Sequence, residues 1–110
     1  MQVKPKRKIP READITRSIR KLLDYHGIFH IKIWQGMMSA KGTSDIIGCY
    51  KGRYFAVEVK RPGGKLTSFQ EKFLEMVKRA GGIAIVARSV DDVIRGLGLE
   101  DKMMFGERRR

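Results

Sequence analysis

The sequence predicts an α/β domain: a mixed central β-sheet flanked by helices, with elements in the order α-β-β-β-α-β-α. Three observations predict it. Amphipathic stretches with helical spacing alternate with short β-branched and aromatic runs. Two of those runs meet at Lys51-Gly52 and read as a hairpin. A later run, "IAIVAR", is continuously apolar and lies between two helical segments, as a buried sheet strand does.

The first helix starts after Pro10. Ile15, Ile19, Leu22 and Leu23 recur at helical spacing, and Gly27 is a natural stop. Residues 28–34, "IFHIKIW", are short and β-branched and predict a strand. Residues 35–44, "QGMMSAKGTS", predict a loop beside the strand ends, where function often sits. The hairpin spans residues 45–60, and "RPGGKL" is the loop after it. A second helix begins near Thr67 or Ser68, because each has Gln or Glu three residues later, as a capping box requires. Phe73, Leu74 and Val77 form its apolar stripe, and Gly81-Gly82 ends it. Residues 83–88 are expected to be a strand buried on both faces. Ser89 is expected to cap a last helix carrying Val93, Ile94 and Leu97, with Asp92 in the capping-box position.

A chain of 110 residues suits one compact domain, and 42% hydrophobic residues is enough for a core. The formal charge of +12 points to a polyanionic partner, nucleic acid first and an anionic membrane surface second. Residues 1–10 and 101–110 are basic, which predicts a flexible arm and tail around a domain at 11–100. Such tails lie along phosphates or simply keep a protein in solution. Cys49 is the only cysteine, which excludes an internal disulfide, a zinc knuckle and a CxxC redox motif. No apolar run follows the basic start, and none approaches the roughly 20 residues of a membrane span. A soluble intracellular protein is the expectation.

The hairpin raises the chemical question. Phe55, Val57 and Val59 share one face of their strand, and Tyr54, Ala56, Glu58 and Lys60 share the other. A two-residue turn pairs Tyr50 with Arg53, and counting outward sets Asp45 opposite Glu58, with Cβ atoms roughly 4.5–5.5 Å apart, whereas an odd loop with a bulge would break this pairing. Like charges directly opposite destabilise a sheet. A retained proton, Lys60, or a divalent cation such as Mg²⁺ would relieve the repulsion. An ordinary ion pair at a strand end is the plain alternative. Glu12 and Gln70 fall on the inward stripes of their helices and point toward the same place. Each also has a structural reading: Glu12 suits a helix dipole, and Gln70 suits a capping box with Thr67.

The segments "GTSDIIG" at 42–48, "FAVEVKRPGGKLTSFQ" at 55–70 and "AGGIAIVARSVDDV" at 80–93 resemble the VRR-NUC nucleases of the PD-(D/E)xK superfamily, which includes restriction enzymes and Holliday-junction resolvases. The resemblance implies a restriction-endonuclease-like fold. It implies that Asp45 and Glu58 bind catalytic Mg²⁺, with Mn²⁺ as substitute, helped by the Val59 carbonyl. Lys60 would orient or activate water, Glu12 would support the metal from the side, and Gln70 would steady the site. Ser44 stands where the family usually has proline. The implied activity is phosphodiester hydrolysis leaving 5′-phosphate and 3′-hydroxyl ends. Lysine beside carboxylates keeps its charge, so the expected role of Lys60 is electrostatic.

Other signals are weaker. "KGRYFAV" partly matches an RNA-recognition-motif signature, but Arg53 occupies an aromatic position and Glu58 replaces a stacking ring. A non-catalytic basic nucleic-acid-binding module is therefore the second reading. His26 and His30 lack ligand spacing with Cys49 and are expected at a helix end and on a strand face. Trp34 is expected in the core or on the sheet face. Lys41, Arg61 and Lys65 flank the site as candidate phosphate contacts. Met37-Met38 and Met103-Met104 would fill gaps or meet an interface. No recognition domain accompanies the nuclease motifs, so sequence-specific restriction is not expected; isolated nuclease domains of this size resemble junction resolvases, and that resemblance implies a homodimeric endonuclease selective for branched DNA.

Overall fold

A computed structural model of the chain describes residues 9–34 and 41–100. The expected tail, nearly all of the arm, and both methionine pairs lie outside the described residues. The elements are α1 (Glu12–Tyr25), β1 (Phe29–Lys32), β2 (Ile46–Tyr50), β3 (Arg53–Val59), α2 (Ser68–Arg79), β4 (Ile83–Ala87) and α3 (Val90–Leu97), in the predicted order. The strands form one mixed sheet in the order β1-β2-β3-β4. β1, β2 and β3 are antiparallel, and β4 runs parallel to β3. A parallel neighbour needs a crossover, which α2 supplies. This arrangement is consistent with the restriction-endonuclease-like fold.

The hairpin register is the one the two-residue turn implies. Lys51 and Gly52 both have positive φ, 51° and 81°, the combination that matches the twist of a hairpin. Tyr50 pairs with Arg53 and Ile46 with Val57. Phe55, Val57 and Val59 are buried with Ile15, Ile19 and Leu23 of α1 and with Val93 and Leu97 of α3. On the opposite face, Leu74 and Val77 of α2 pack over Ala56. β3 is therefore the central, doubly covered strand.

Each helix ends by turning its chain back onto itself. The N–H groups of Ile28, Gly82 and Leu99 return to the carbonyls of Leu23, Val77 and Ile94 at 2.8–2.9 Å. A left-handed glycine precedes each of them. Leu99 is thereby folded into the core behind α3.

Three expectations change. β1 is shorter than 28–34, because pairing stops where β2 begins and Trp34 leaves the sheet for solvent. β4 is not buried on both faces: Ile85 and Ala87 are buried, while Ile83, Ala84 and Val86 are partly covered. It is an edge strand, so only β3 is enclosed on every side. Ser89 makes no side-chain cap, and Asp92 Oδ2 instead accepts from the Arg88 N–H at 2.8 Å. Among the described residues, no helix is long and apolar enough to cross a membrane.

Candidate active site

Asp45 lies one residue before β2. The ladder pairs Ile46 with Val57, so its next rung sets Asp45 opposite Glu58. Asp45 Oδ2 also accepts from the Val59 N–H at 2.8 Å, which pins the carboxylate across the end of the hairpin. Glu58, on the enclosed strand, is 3% exposed. Its Oε2 accepts from Gln70 Nε2 at 3.0 Å. Its Oε1 is buried and has no hydrogen-bond partner among the described residues.

Burial, and then the neighbouring Asp45 charge, push the Glu58 carboxyl up to about 8. The nearby Glu12 charge adds a smaller push. Lys60 opposes them. Glu58 thus tends to keep its proton in the absence of a cation. Lys60 follows β3 directly, and its N–H donates to the Ala87 carbonyl at 3.0 Å. That bond extends the parallel ladder and keeps Lys60 on the alternation that carries Glu58.

Gln70 fulfils both of its readings at once. Its Oε1 accepts from the Thr67 N–H at 2.9 Å and its N–H donates to Thr67 Oγ1 at 3.1 Å, a complete capping box. The same amide's Nε2 then holds Glu58. Glu12 departs from expectation: it is exposed at the start of α1, whose buried positions begin at Ile15. It nevertheless lines the same cleft as Asp45. Lys41, Arg61 and Lys65 are all exposed. Lys41 Nζ sits 5.2 Å from the centre of the Phe69 ring. His26 is the C-cap of α1, and His30 Nδ1 lies 3.0 Å from the Ile28 carbonyl, as a helix end and a strand face should be.

The donor set fits a hard divalent cation. It offers carboxylate oxygens, one of them buried without a donor, and Mg²⁺ commonly takes one or two carboxylates and completes its sphere with water and phosphate. Among the described residues no three of His, Cys, Asp and Glu converge to hold a metal as a group. The acids that meet at the end of the hairpin are Asp45 and Glu58.

A family model described as VRR-NUC domain matches residues 11–91. The chain belongs to the VRR-NUC domain family. This is a family of PD-(D/E)xK-like nuclease domains, and membership points to nuclease activity on nucleic acid. The VRR-NUC match contains Glu12, Asp45, Glu58, Lys60 and Gln70. A comparison with curated proteins finds no match.

The structure also explains three VRR-NUC positions that sequence reasoning left without a role. A Cβ at Gly42 would lie 2.2 Å from the Phe69 carbonyl oxygen, so glycine lets the loop before Asp45 close onto the start of α2. Ser44 is fully buried and its Oγ has no partner among the described residues, so its slot suits an apolar residue such as the proline usual in the family. Arg88 Nη1 donates to the Arg61 and Gly64 carbonyls at 2.9 and 2.7 Å, clamping the loop that follows Lys60. Gly42 opens the "GTSDIIG" segment that carries the family resemblance. No local pattern signalled Arg88, whose partners lie 24 and 27 residues away.

Proposed function

We propose that the protein is a Mg²⁺-dependent, structure-selective DNA endonuclease that acts as a homodimer. The observation that supports this best is the buried Glu58 carboxylate, with one oxygen undonated, facing Asp45 beside Lys60. An isolated acid pair in a chain of charge +12 costs stability and is explained by a cation that it binds.

Asp45, Glu58 and the Val59 carbonyl would hold Mg²⁺, or Mn²⁺ in its place. The ion, when bound, supplies positive charge at the phosphate and makes water a stronger acid. Gln70 orients Glu58 so that its second oxygen stays available. Lys60 brings a fixed ammonium to the charge that grows on the phosphate and orients the attacking water. Glu12 adds negative charge at the rim. Lys41, Arg61 and Lys65 contact flanking phosphates, and the basic segments 1–10 and 101–110 lie along the backbone. Water attacks phosphorus, the 3′-oxygen leaves, and the ends are 5′-phosphate and 3′-hydroxyl. A four-way junction has two strands to cut, and a two-fold dimer offers two sites.

The test is a panel of linear, nicked, flapped and four-way DNA incubated with purified protein and Mg²⁺, with products mapped and mass measured by light scattering. Branched substrates should be cut by a dimer. Glu58→Ala and Lys60→Met should lose roughly 100-fold or more in rate while still binding DNA. Metal-independent behaviour identical in wild type and Glu58→Ala would leave only a binding module.

A further inference from the structure

A cleft of about 670 Å³ opens between α1 and the end of β1. Glu12 and Asp45 line it together with Arg20, Lys21, Lys32 and Trp34. The backbone sets the distance from cleft to site. The Ile33 N–H donates to the Asp45 carbonyl at 2.7 Å, so Trp34 is the next residue after the rung that carries Asp45. Trp34 is 58% exposed, and Lys32 Nζ sits 4.2 Å from the centre of its ring. The indole is steadied by a cation rather than packed into the core, contrary to the expectation from sequence.

One cation on this wall, Arg17, is paired with Asp14 at 3.0 Å. Among the described residues no carboxylate pairs with Arg20, Lys21 or Lys32. Arg20 Nε has no hydrogen-bond partner among the described residues. Asp24, also on the wall, lies instead 3.9 Å from His30 Nε2. An exposed aromatic plane and three cations without a carboxylate partner among the described residues thus lead to Asp45. A single nucleic-acid strand offers the complementary chemistry: a flat π-face on each base and one negative charge per phosphate. A continuous duplex does not, because its bases are already stacked on one another.

We infer that this cleft is a single-strand subsite in which Trp34 stacks on an unpaired base next to the scissile phosphate, while Arg20, Lys21 and Lys32 hold the phosphates beyond it. The inference rests on the nuclease reading only for the position of the cut. It supplies a physical reason for selecting flapped DNA over plain duplex: a flap delivers an unpaired base, and a plain duplex does not.

Trp34 is the only tryptophan in the chain, so its fluorescence reports on the subsite directly. The wild-type protein in EDTA is titrated with single-stranded oligothymidylate of about 12 nucleotides, and with an abasic oligomer of equal length and charge. The thymidylate should quench the fluorescence saturably and the abasic oligomer should not. By anisotropy of the labelled thymidylate, Trp34→Ala should bind about 5- to 150-fold more weakly, and Trp34→Phe should keep most of the affinity. Equal affinity of Trp34→Ala and wild type, or equal quenching by the abasic strand, overturns the subsite. These measurements need no cleavage, so a quench without Mg²⁺-dependent cutting would sink the nuclease reading and leave the subsite standing.

Discussion

Glu58 holds its proton more tightly in the folded chain than in the unfolded one, because burial and Asp45 both oppose its ionisation. Its carboxyl is raised from 4.5 to about 8. Below about 4.5 both states are protonated and the full stability is present. Between there and about 8 the unfolded chain ionises first, so stability falls as pH rises, and above that range it levels off. Thermal melts in EDTA should therefore drop by several degrees from pH 5 to pH 8.5. Glu58→Gln should flatten the drop, and millimolar Mg²⁺ should reverse it in wild type but not in Asp45→Asn. A wild-type melting temperature that is flat or rises over that range would remove the coupled acid pair. Ser44 offers an independent check. Its hydroxyl is buried without a partner, so Ser44→Ala should gain about 1 kcal/mol in urea titrations. Gln70 shows why residue-level alternatives need not compete. One amide has two ends, and the capping box uses its oxygen while Glu58 uses its nitrogen.

The sheet holds its acids in place through two close approaches. Gly48 faces Phe55 across the hairpin, and a Cβ there would meet the Phe29 carbonyl oxygen at 2.3 Å and the Phe55 ring at 2.5 Å. Neither can yield without separating β1 from β2 or tilting the core phenylalanine. Gly48→Ala should cost roughly 3 kcal/mol in chemical denaturation, measured by circular dichroism. The second approach is the cap of α2, which carries Gln70 to Glu58. Thr67→Ala removes the hydroxyl that accepts from the Gln70 N–H and should cost about 1 kcal/mol. It should also lower cleavage without altering DNA affinity, a split readable in single-turnover rates. At this scale the hairpin was readable from sequence, since an even turn and a period of two fix every pair. β4 was not, because an edge strand and a central strand can have equally apolar sequences, and only sheet order separates them. Asp92 caps Arg88 instead of serving a box with Ser89, because the Ser89 hydroxyl makes no cap bond while the Asp92 carboxylate reaches the preceding N–H.

Across the molecule, a net charge of +12 surrounds a site whose own groups are acidic. In the proposed function the excess cations attract the polyanion and the acids admit the metal. Six cations flank the proposed path: Arg20, Lys21, Lys32, Lys41, Arg61 and Lys65. If each meets one phosphate, duplex-containing substrates should show a log–log salt slope of about −5. Replacing any one by glutamine should reduce that slope by about one, as measured by anisotropy across a salt series. A slope near zero would mean that the charge keeps the protein in solution and does not grip DNA.

The sequence alone determined the element order, the hairpin register and the convergence of Asp45, Glu58 and Lys60, because these follow from local periodicity and a two-residue turn. It also supplied Gln70, through helical spacing and the capping box. Only the tertiary structure decided that Glu12 is exposed, that Arg88 clamps a loop far away in the chain, and that Trp34 stands out in a basic cleft beside Asp45. Those outcomes depend on which surfaces the helices cover, and burial is a property of packing between distant segments that no local pattern encodes.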